Sequence, residues 1–172
     1  MKRMLLVLGL AVTVGACGNS TTAPTSDQNT AVFTVNMLAG NEVPPTAGAE
    51  ADARGTATIT FNLTRDGSGS ITSANARFDV TMSGFPSTSV INIAHIHPGA
   101  VGVNGSVLVN TTLAPGDVTL NSNGIASFSK SNINLTVANA QAIMADPAGF
   151  YFNVHTTANP TGAIRGQLSR TQ

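Results

Sequence analysis

The sequence predicts an all-β protein, an antiparallel β-sandwich or barrel of about eight strands with one short helix before the penultimate strand. Apolar and polar residues alternate through much of the chain, for example in residues 55–63 (GTATITFNL) and 74–82 (ANARFDVTM). A period of two is typical of a strand with one buried face. Asp66-Gly67, between these two segments, is a hairpin signal. Many short strands joined by frequent turns favour a sandwich or a barrel.

The remaining elements follow from the same patterns. Six further segments have strand-like sequences: residues 31–38, 90–97, 105–113, 125–130, 149–156 and 163–169. Residues 135–149 differ, because their apolar residues recur at helical spacing. Either Thr136 or Asn134 can cap the start of this helix, and Pro147 ends it.

Residues 1–17 are predicted to be a lipoprotein signal peptide. Lys2 and Arg3 form a short positive region, and the apolar segment after them is too short for a permanent membrane helix. Residues 14–17, VGAC, match a bacterial lipobox, in which the cysteine is lipidated and becomes the new N-terminus. Cys17 is the one cysteine of the chain, and lipidation gives its thiol a role. The alternative is a plain secretory signal with a spare thiol.

The rest of the chain divides into a tether and a domain. Residues 18–30 are rich in Ser and Thr and predict a flexible tether, whereas residues 31–170 have the length of one domain. A diacylglyceryl group on Cys17 would hold the domain on a membrane, because two acyl chains anchor stably where one is marginal. Gly18 follows the cysteine, which is typical of sorting to the outer membrane in a Gram-negative cell. We therefore expect an exported, lipid-anchored protein of the bacterial cell envelope.

Composition and motifs argue against several function classes. Without Lys2 and Arg3 the chain has six basic and eight acidic residues, a formal charge of −2, so nucleic acid is not an expected partner. The sequence has no G-x-S-x-G nucleophile elbow, no phosphate-binding loop between a strand and a helix, and no close acidic pair. Hydrolase or transferase activity has no support, and no catalytic residue is predicted.

The three histidines are the candidate metal ligands. His95 and His97 alternate on one predicted strand, so their side chains share a face. His155 lies on another predicted strand, on the face opposite Phe152 and Val154. Three neutral imidazoles are a recognised ligand set for zinc or copper, with a fourth position open. The alternative is structural, because neutral rings can hold the carbonyls of the Gly-rich loop after His97 without any ion.

Three motifs and the predicted helix resemble the CHRD domain, which is named after its repeats in chordin and occurs in bacterial exported proteins. The motifs are residues 38–46 (LAGNEVPPT), 94–107 (AHIHPGAVGVNGSV) and 151–168 (YFNVHTTANPTGAIRGQL). The resemblance covers nearly the whole domain and implies an immunoglobulin-like β-sandwich. It implies much less about function: chordin binds growth factors, but no reaction is established for the bacterial members, and a shared fold does not supply an activity.

Two positions depart from the family pattern. Pro98 stands between the second histidine and Gly99, where the family usually has Gly directly after the histidine. Ala163 occupies the position of the usual Glu in the motif G-E-I-R-G-Q. If that Glu has a binding or catalytic role in the family, this chain has lost it.

The histidine pattern is also loosely similar to part of copper/zinc superoxide dismutase, with Arg165 in the place of its anion-guiding arginine. The bridging histidine, the cluster of zinc ligands and the cysteine pair of that enzyme are missing, so dismutase activity is not expected. Arg165 is expected to organise carbonyls or a carboxylate. Glu42 could be a ligand or pair with Arg165, but the simpler expectation is a surface position in a loop.

These observations predict a lipid-anchored CHRD protein that acts as a non-enzymatic binding or structural module, with a protein or a glycan as its ligand. The alternative is a copper- or zinc-binding protein that uses His95, His97 and His155. No cofactor is certain from the sequence. Convergence of the three rings on one point would favour the metal, and rings directed into separate loop carbonyls would favour the module.

Overall fold

Nine strands and one α-helix make up the regular structure of residues 27–172, the part of the chain that the computed structural model describes. The predicted signal peptide and most of the predicted tether lie outside these residues. The strands are β1 (Thr30–Leu38), β2 (Arg54–Arg65), β3 (Ile71–Ser83), β4 (Ile91–Pro98), β5 (Val109–Asn110), β6 (Ala126–Leu135), β7 (Phe150–Thr156), β8 (Ile164–Gln167) and β9 (Ser169–Arg170). The α-helix, α1, is Val137–Ala145, and short 3-10 turns occupy Ala39–Asn41, Gly48–Glu50 and Pro147–Gly149.

All the strands belong to one antiparallel sheet. Its order is β5-β4-β7-β8-β1-β2-β3-β6, with β9 paired to β1. The sheet curves until its two ends approach each other. Lys130 on β6 donates to the carbonyl of Thr112, two residues beyond β5, and pairs with Asp117 at 2.6 Å. The predicted all-β class is confirmed as a nearly closed antiparallel sheet.

The alternating apolar residues fill the inside of this sheet. Phe33 and Phe61, on neighbouring strands, have ring centroids 4.8 Å apart, and Phe78 stacks on Phe152 from across the interior at 5.5 Å. All four rings are fully buried. Burying one such ring stabilises the fold by about 1.5–3 kcal/mol, so this interior is the main source of stability.

The predicted helix is present and packs against the sheet. Thr136 is the N-cap, because its hydroxyl accepts a hydrogen bond from the backbone N–H of Asn139 at 3.1 Å. Ala140 and Ile143 are fully buried against the sheet. None of the helices in residues 27–172 has the length and apolarity of a membrane span.

Two predicted strands have different limits in the structure. The strand expected over residues 105–113 is reduced to Val109–Asn110, because the side chain of Asn110 accepts from the N–H of Thr112, whose φ of 60° leaves the extended region. The strand expected over residues 125–130 instead runs to Leu135. The greater length of β6 arises from its backbone pairing with β3, which continues to Leu135 opposite Ala74 and which alternation alone does not specify.

β4 and β7 are buried on both faces, unlike most strands of the sheet. Their inner face packs in the core, and three loops cover the outer face: residues 39–46, 99–106 and 157–163. The loops are tied to one another and to the sheet. Thr46 donates to the carbonyl of Ala163 at 2.9 Å, and Asn104 donates to the carbonyl of Val43 at 2.8 Å. This second, polar interior contains the candidate site.

Candidate metal centre

The three histidines meet on the outer face of β4 and β7. In the pairing of these strands, His95 lies opposite Asn153 and His97 opposite Tyr151, which brings His155 beside His95 on the same face. One nitrogen from each ring lies within 4.8 Å of the others. The shortest separation is 3.3 Å, between Nδ1 of His95 and Nε2 of His155. All three rings are buried, with at most 6% of each residue exposed.

Two of the rings are oriented by loop carbonyls. His97 donates from Nδ1 to the carbonyl of Gly105 at 3.1 Å, and His155 donates from Nδ1 to that of Pro160 at 3.0 Å. A carbonyl only accepts, so in the neutral ring Nε2 carries the lone pair. Nε2 of His97 is buried and has no hydrogen-bond partner, whereas Nε2 of His155 lies 3.3 Å from Nδ1 of His95 and 3.0 Å from Oδ1 of Asn153, an acceptor that faces this lone pair. This is the arrangement in which metal-binding histidines are held by outer partners.

The surroundings keep these imidazoles neutral. Burial, together with the nearby His155 and His97 rings, lowers the pKa of His95 from 6.5 to about 4. Burial also lowers the pKa of His97 and of His155, although hydrogen bonds to loop carbonyls oppose it. Neutral rings have free lone pairs at pH 7, which is the state that binds a metal.

Tyr151 and Arg165 form a stack beside the histidines. The Tyr151 ring is nearly parallel to that of His97, at 6° and 4.8 Å between centroids. The Arg165 guanidinium lies 3.5 Å from the centre of the same Tyr151 ring. Since β4 and β8 flank β7 on opposite sides, Tyr151 separates His97 from Arg165. A cation over an aromatic face is favourable, and more so when both are buried.

Arg165 holds the loop of residues 99–106 over the site. It is 1% exposed, and it donates to the carbonyls of Ala100 and Val103 at 3.1 and 2.7 Å and to the side chain of Asn104 at 2.9 Å. These are neutral acceptors. The ion pairs within residues 27–172 join other residues, Arg77 to Asp79 and Lys130 to Asp117. Arg165 therefore organises carbonyls and forms no ion pair with Glu42.

Glu42 is buried, so the expectation of a surface position is wrong. The turn before it folds over β8, where Asn41 donates to the carbonyl of Arg165 at 3.1 Å, and this places Glu42 beneath residues 157–163. Its carboxyl packs against Gly162, and its Oε1 has no hydrogen-bond partner. Burial raises the pKa of Glu42 from 4.5 to about 7, opposed by the charge of Arg165 and by the Asn153 side chain. The cluster of converging nitrogens does not include this carboxyl.

Sequence reasoning did not single out two buried polar residues near the site. Asn153 is 2% exposed and lies 3.0 Å from Nε2 of His155; its place between Tyr151 and His155 in the strand alternation was the available signal. Glu50 accepts hydrogen bonds from Ser89, Thr156 and Asn159. It joins the loop before β4 to the loop after β7, and no sequence motif marks it.

The fold and the site define a small antiparallel β domain with a buried three-histidine cluster under tightly held loops. The chain belongs to the CHRD domain family, whose family model matches residues 33–168. The match includes Glu42, the three histidines and Arg165. It also includes Ala163, which is fully buried and whose carbonyl accepts from Thr46. A comparison with curated protein sequences gave no match.

Proposed function

We propose that this CHRD domain is a non-enzymatic binding module whose ligand is one copper or zinc ion, held by His95, His97 and His155. The observation that carries the proposal is the convergence of three ring nitrogens within 4.8 Å, two of the rings having Nδ1 committed to loop carbonyls. Nδ1 of His95 and Nε2 of His155 are also within hydrogen-bonding distance of each other, so the ring nitrogen that loop bracing leaves unexplained is Nε2 of His97. In particular, the buried and unpartnered Nε2 of His97 is costly without a ligand.

The distances are close to those of a metal site. Metal–imidazole bonds are about 2.0–2.1 Å long, so nitrogens around one ion lie about 3.3–3.6 Å apart. The 3.3 Å between His95 and His155 already meets this requirement. The widest separation of 4.8 Å needs to shorten by about 1.2 Å, which side-chain movement can supply.

Burial supports binding rather than turnover. The histidines are at most 6% exposed, and residues 99–106 are fixed over them by Arg165. The nearby surface cavity of about 340 Å³ is lined by residues that include Glu42, Val101 and Arg165, and none of the three histidines belongs to its wall. An enclosed ion has no face open to a substrate of ordinary size.

The metal can be tested by loading residues 27–172, which contain the sheet and core described above, without an affinity tag. After exposure to copper or zinc and dialysis, we expect about one retained ion per chain by mass spectrometry, and none in His97→Gln or His155→Gln. Asn92→Ala, on the same strand but outside the cluster, is the matched control and should retain the ion. A ligand at 100 times its Kd stabilises the native state by about 2.7 kcal/mol. Equal melting temperatures with and without metal would therefore contradict the proposal.

We also propose that the protein is exported and held at the bacterial cell envelope through a lipid on Cys17. The lipobox at residues 14–17 and the absence of other cysteines from the sequence support this. Cys17→Ala should move the protein from the membrane fraction to the soluble fraction, with Ser20→Ala as control. Continued membrane retention of the Cys17→Ala protein would falsify the anchor and leave the metal proposal standing.

A further inference from the structure

We infer that the three-histidine cluster selects Cu(I) over Zn(II), holding the monovalent ion by His95, His97 and His155 alone. This inference rests on the proposed metal-binding function and specifies its ligand. It comes from three properties of the site: the charge of the donors, the charge of the surroundings, and the enclosure of the cluster.

The donors are uncharged. Within residues 27–172 the cluster consists of three imidazoles, without a carboxylate or a thiolate. Moving an ion from water into the protein interior has a desolvation free energy that the ligands must offset. This free energy rises with the square of the charge, so it is about four times as large for a divalent ion as for a monovalent ion of the same size. Neutral nitrogen donors compensate a charge of one far better than a charge of two.

The surroundings add positive charge. Arg165 is fully buried, and its hydrogen bonds go to neutral oxygens of Ala100, Val103 and Asn104. Only the Tyr151 ring separates its guanidinium from the His97 ring. Because the two groups are close and poorly solvated, solvent only weakly screens the repulsion between the Arg165 guanidinium and a bound ion. This repulsion is twice as large for a divalent ion as for a monovalent ion.

Glu42 is the carboxyl that could offset this charge, and its position limits what it contributes. Its oxygens pack against Gly162, and Asn153 contacts both this carboxyl and His155. An amide thus stands between the carboxyl and the cluster. Glu42 can act on an ion through space, but it belongs to no group of converging ligand atoms in the described residues.

Enclosure also disfavours zinc. Zinc on three histidines takes a fourth ligand, usually water, to complete a tetrahedron. Here the histidines are 5–6% exposed, and the loop of residues 99–106 is fixed by three hydrogen bonds from Arg165. Copper accepts imidazole donors, and its monovalent ion is satisfied by three ligands without water.

The test is a competition with residues 27–172, which contain no cysteine because Cys17 lies outside them. Cu(I), kept reduced under nitrogen, is titrated against a colorimetric Cu(I) chelator, and Zn(II) against a colorimetric zinc chelator. We expect one Cu(I) per chain with a Kd at least 100-fold below that for Zn(II). X-ray absorption of the Cu(I) form should give three nitrogen neighbours. His97→Gln should lose at least 100-fold in Cu(I) affinity, and Asn92→Ala less than threefold.

The outcomes separate the two proposals. Zinc that binds as tightly as Cu(I) overturns the selectivity, and a four-coordinate Cu(I) with an oxygen neighbour overturns ligation by the three histidines alone. Either result leaves the metal-binding function intact. If neither ion binds, the proposed function and this inference both fail.

Discussion

The three histidines and Glu42 have pKa shifts of opposite sign, with opposite effects on stability. The histidine pKa values are lowered in the folded protein, that of His95 to about 4. Between about pH 6.5 and pH 4 the unfolded chain therefore binds more protons than the folded protein. The histidines thus lower the free energy of unfolding as the pH falls through this interval. The pKa of Glu42 is raised from 4.5 to about 7. Its folded form binds the extra proton in that interval, so Glu42 contributes stability as the pH falls from 7 to 4.5.

Because three histidines oppose one glutamate, acid should destabilise the metal-free domain. Each group contributes at most about 1.4 kcal/mol per pH unit. We expect the free energy of unfolding, measured by urea denaturation, to decrease between pH 7 and pH 5. In Glu42→Gln the opposing contribution is gone, and the decrease should be steeper. Stability that is constant or rising on acidification in both proteins would show that these groups are not buried as described.

At the scale of elements, one arginine fixes one loop. Arg165 supplies three hydrogen bonds to residues 99–106 and stacks on Tyr151. Arg165→Met removes these bonds and takes the donor from the carbonyl of Val103 and from Oδ1 of Asn104, whereas the carbonyl of Ala100 still accepts from the N–H of Val103. The expected loss of stability is about 1.5–3 kcal/mol, the usual contribution of hydrogen bonds to a charged group.

Denaturation of Arg165→Met measures this loss, and Arg170→Met is the matched control. Arg170 is exposed and donates to the backbone of the nearby C-terminal residue, so its replacement should change stability by at most about 0.5 kcal/mol. Hydrogen exchange should also be faster in residues 99–106 of Arg165→Met. Similar effects of the two substitutions would mean that the loop holds itself in place.

Local patterns predicted most elements because the relevant information is local. β2 and β3 alternate strictly, and the cap at Thr136 needs only a hydroxyl three residues before an N–H. β5 was predicted too long, over residues 105–113, because the extent of its pairing with β4 is not visible in its own sequence. Burial of Glu42 was missed for a similar reason, since it depends on a loop more than a hundred residues further along the chain.

At the scale of the whole molecule, one part of the candidate site follows from local sequence and the other part follows from long-range strand pairing. That His95 and His97 share a face follows from strand geometry alone. That His155 joins them depends on which strands are neighbours and in which register. Here β4 pairs with β7, although β5, β6 and α1 lie between these two strands in the chain. The sequence alone singles out the three histidines, but only the pairing of β4 with β7 brings them together.

The histidine cluster lies at the level of the sheet where β1 ends, far from the residue at which β1 begins. His95, Asn153, Arg165 and Leu38 are successive neighbours in one row across the sheet, and Leu38 is the last residue of β1, which begins at Thr30. Eight steps of about 3.3 Å separate the two ends of β1 by about 26 Å. In a chain fastened at Cys17, the attachment would enter at the Thr30 end. The length of the strand would then stand between the lipid attachment and the histidine cluster, and the flexible tether would leave the domain free to turn at the surface.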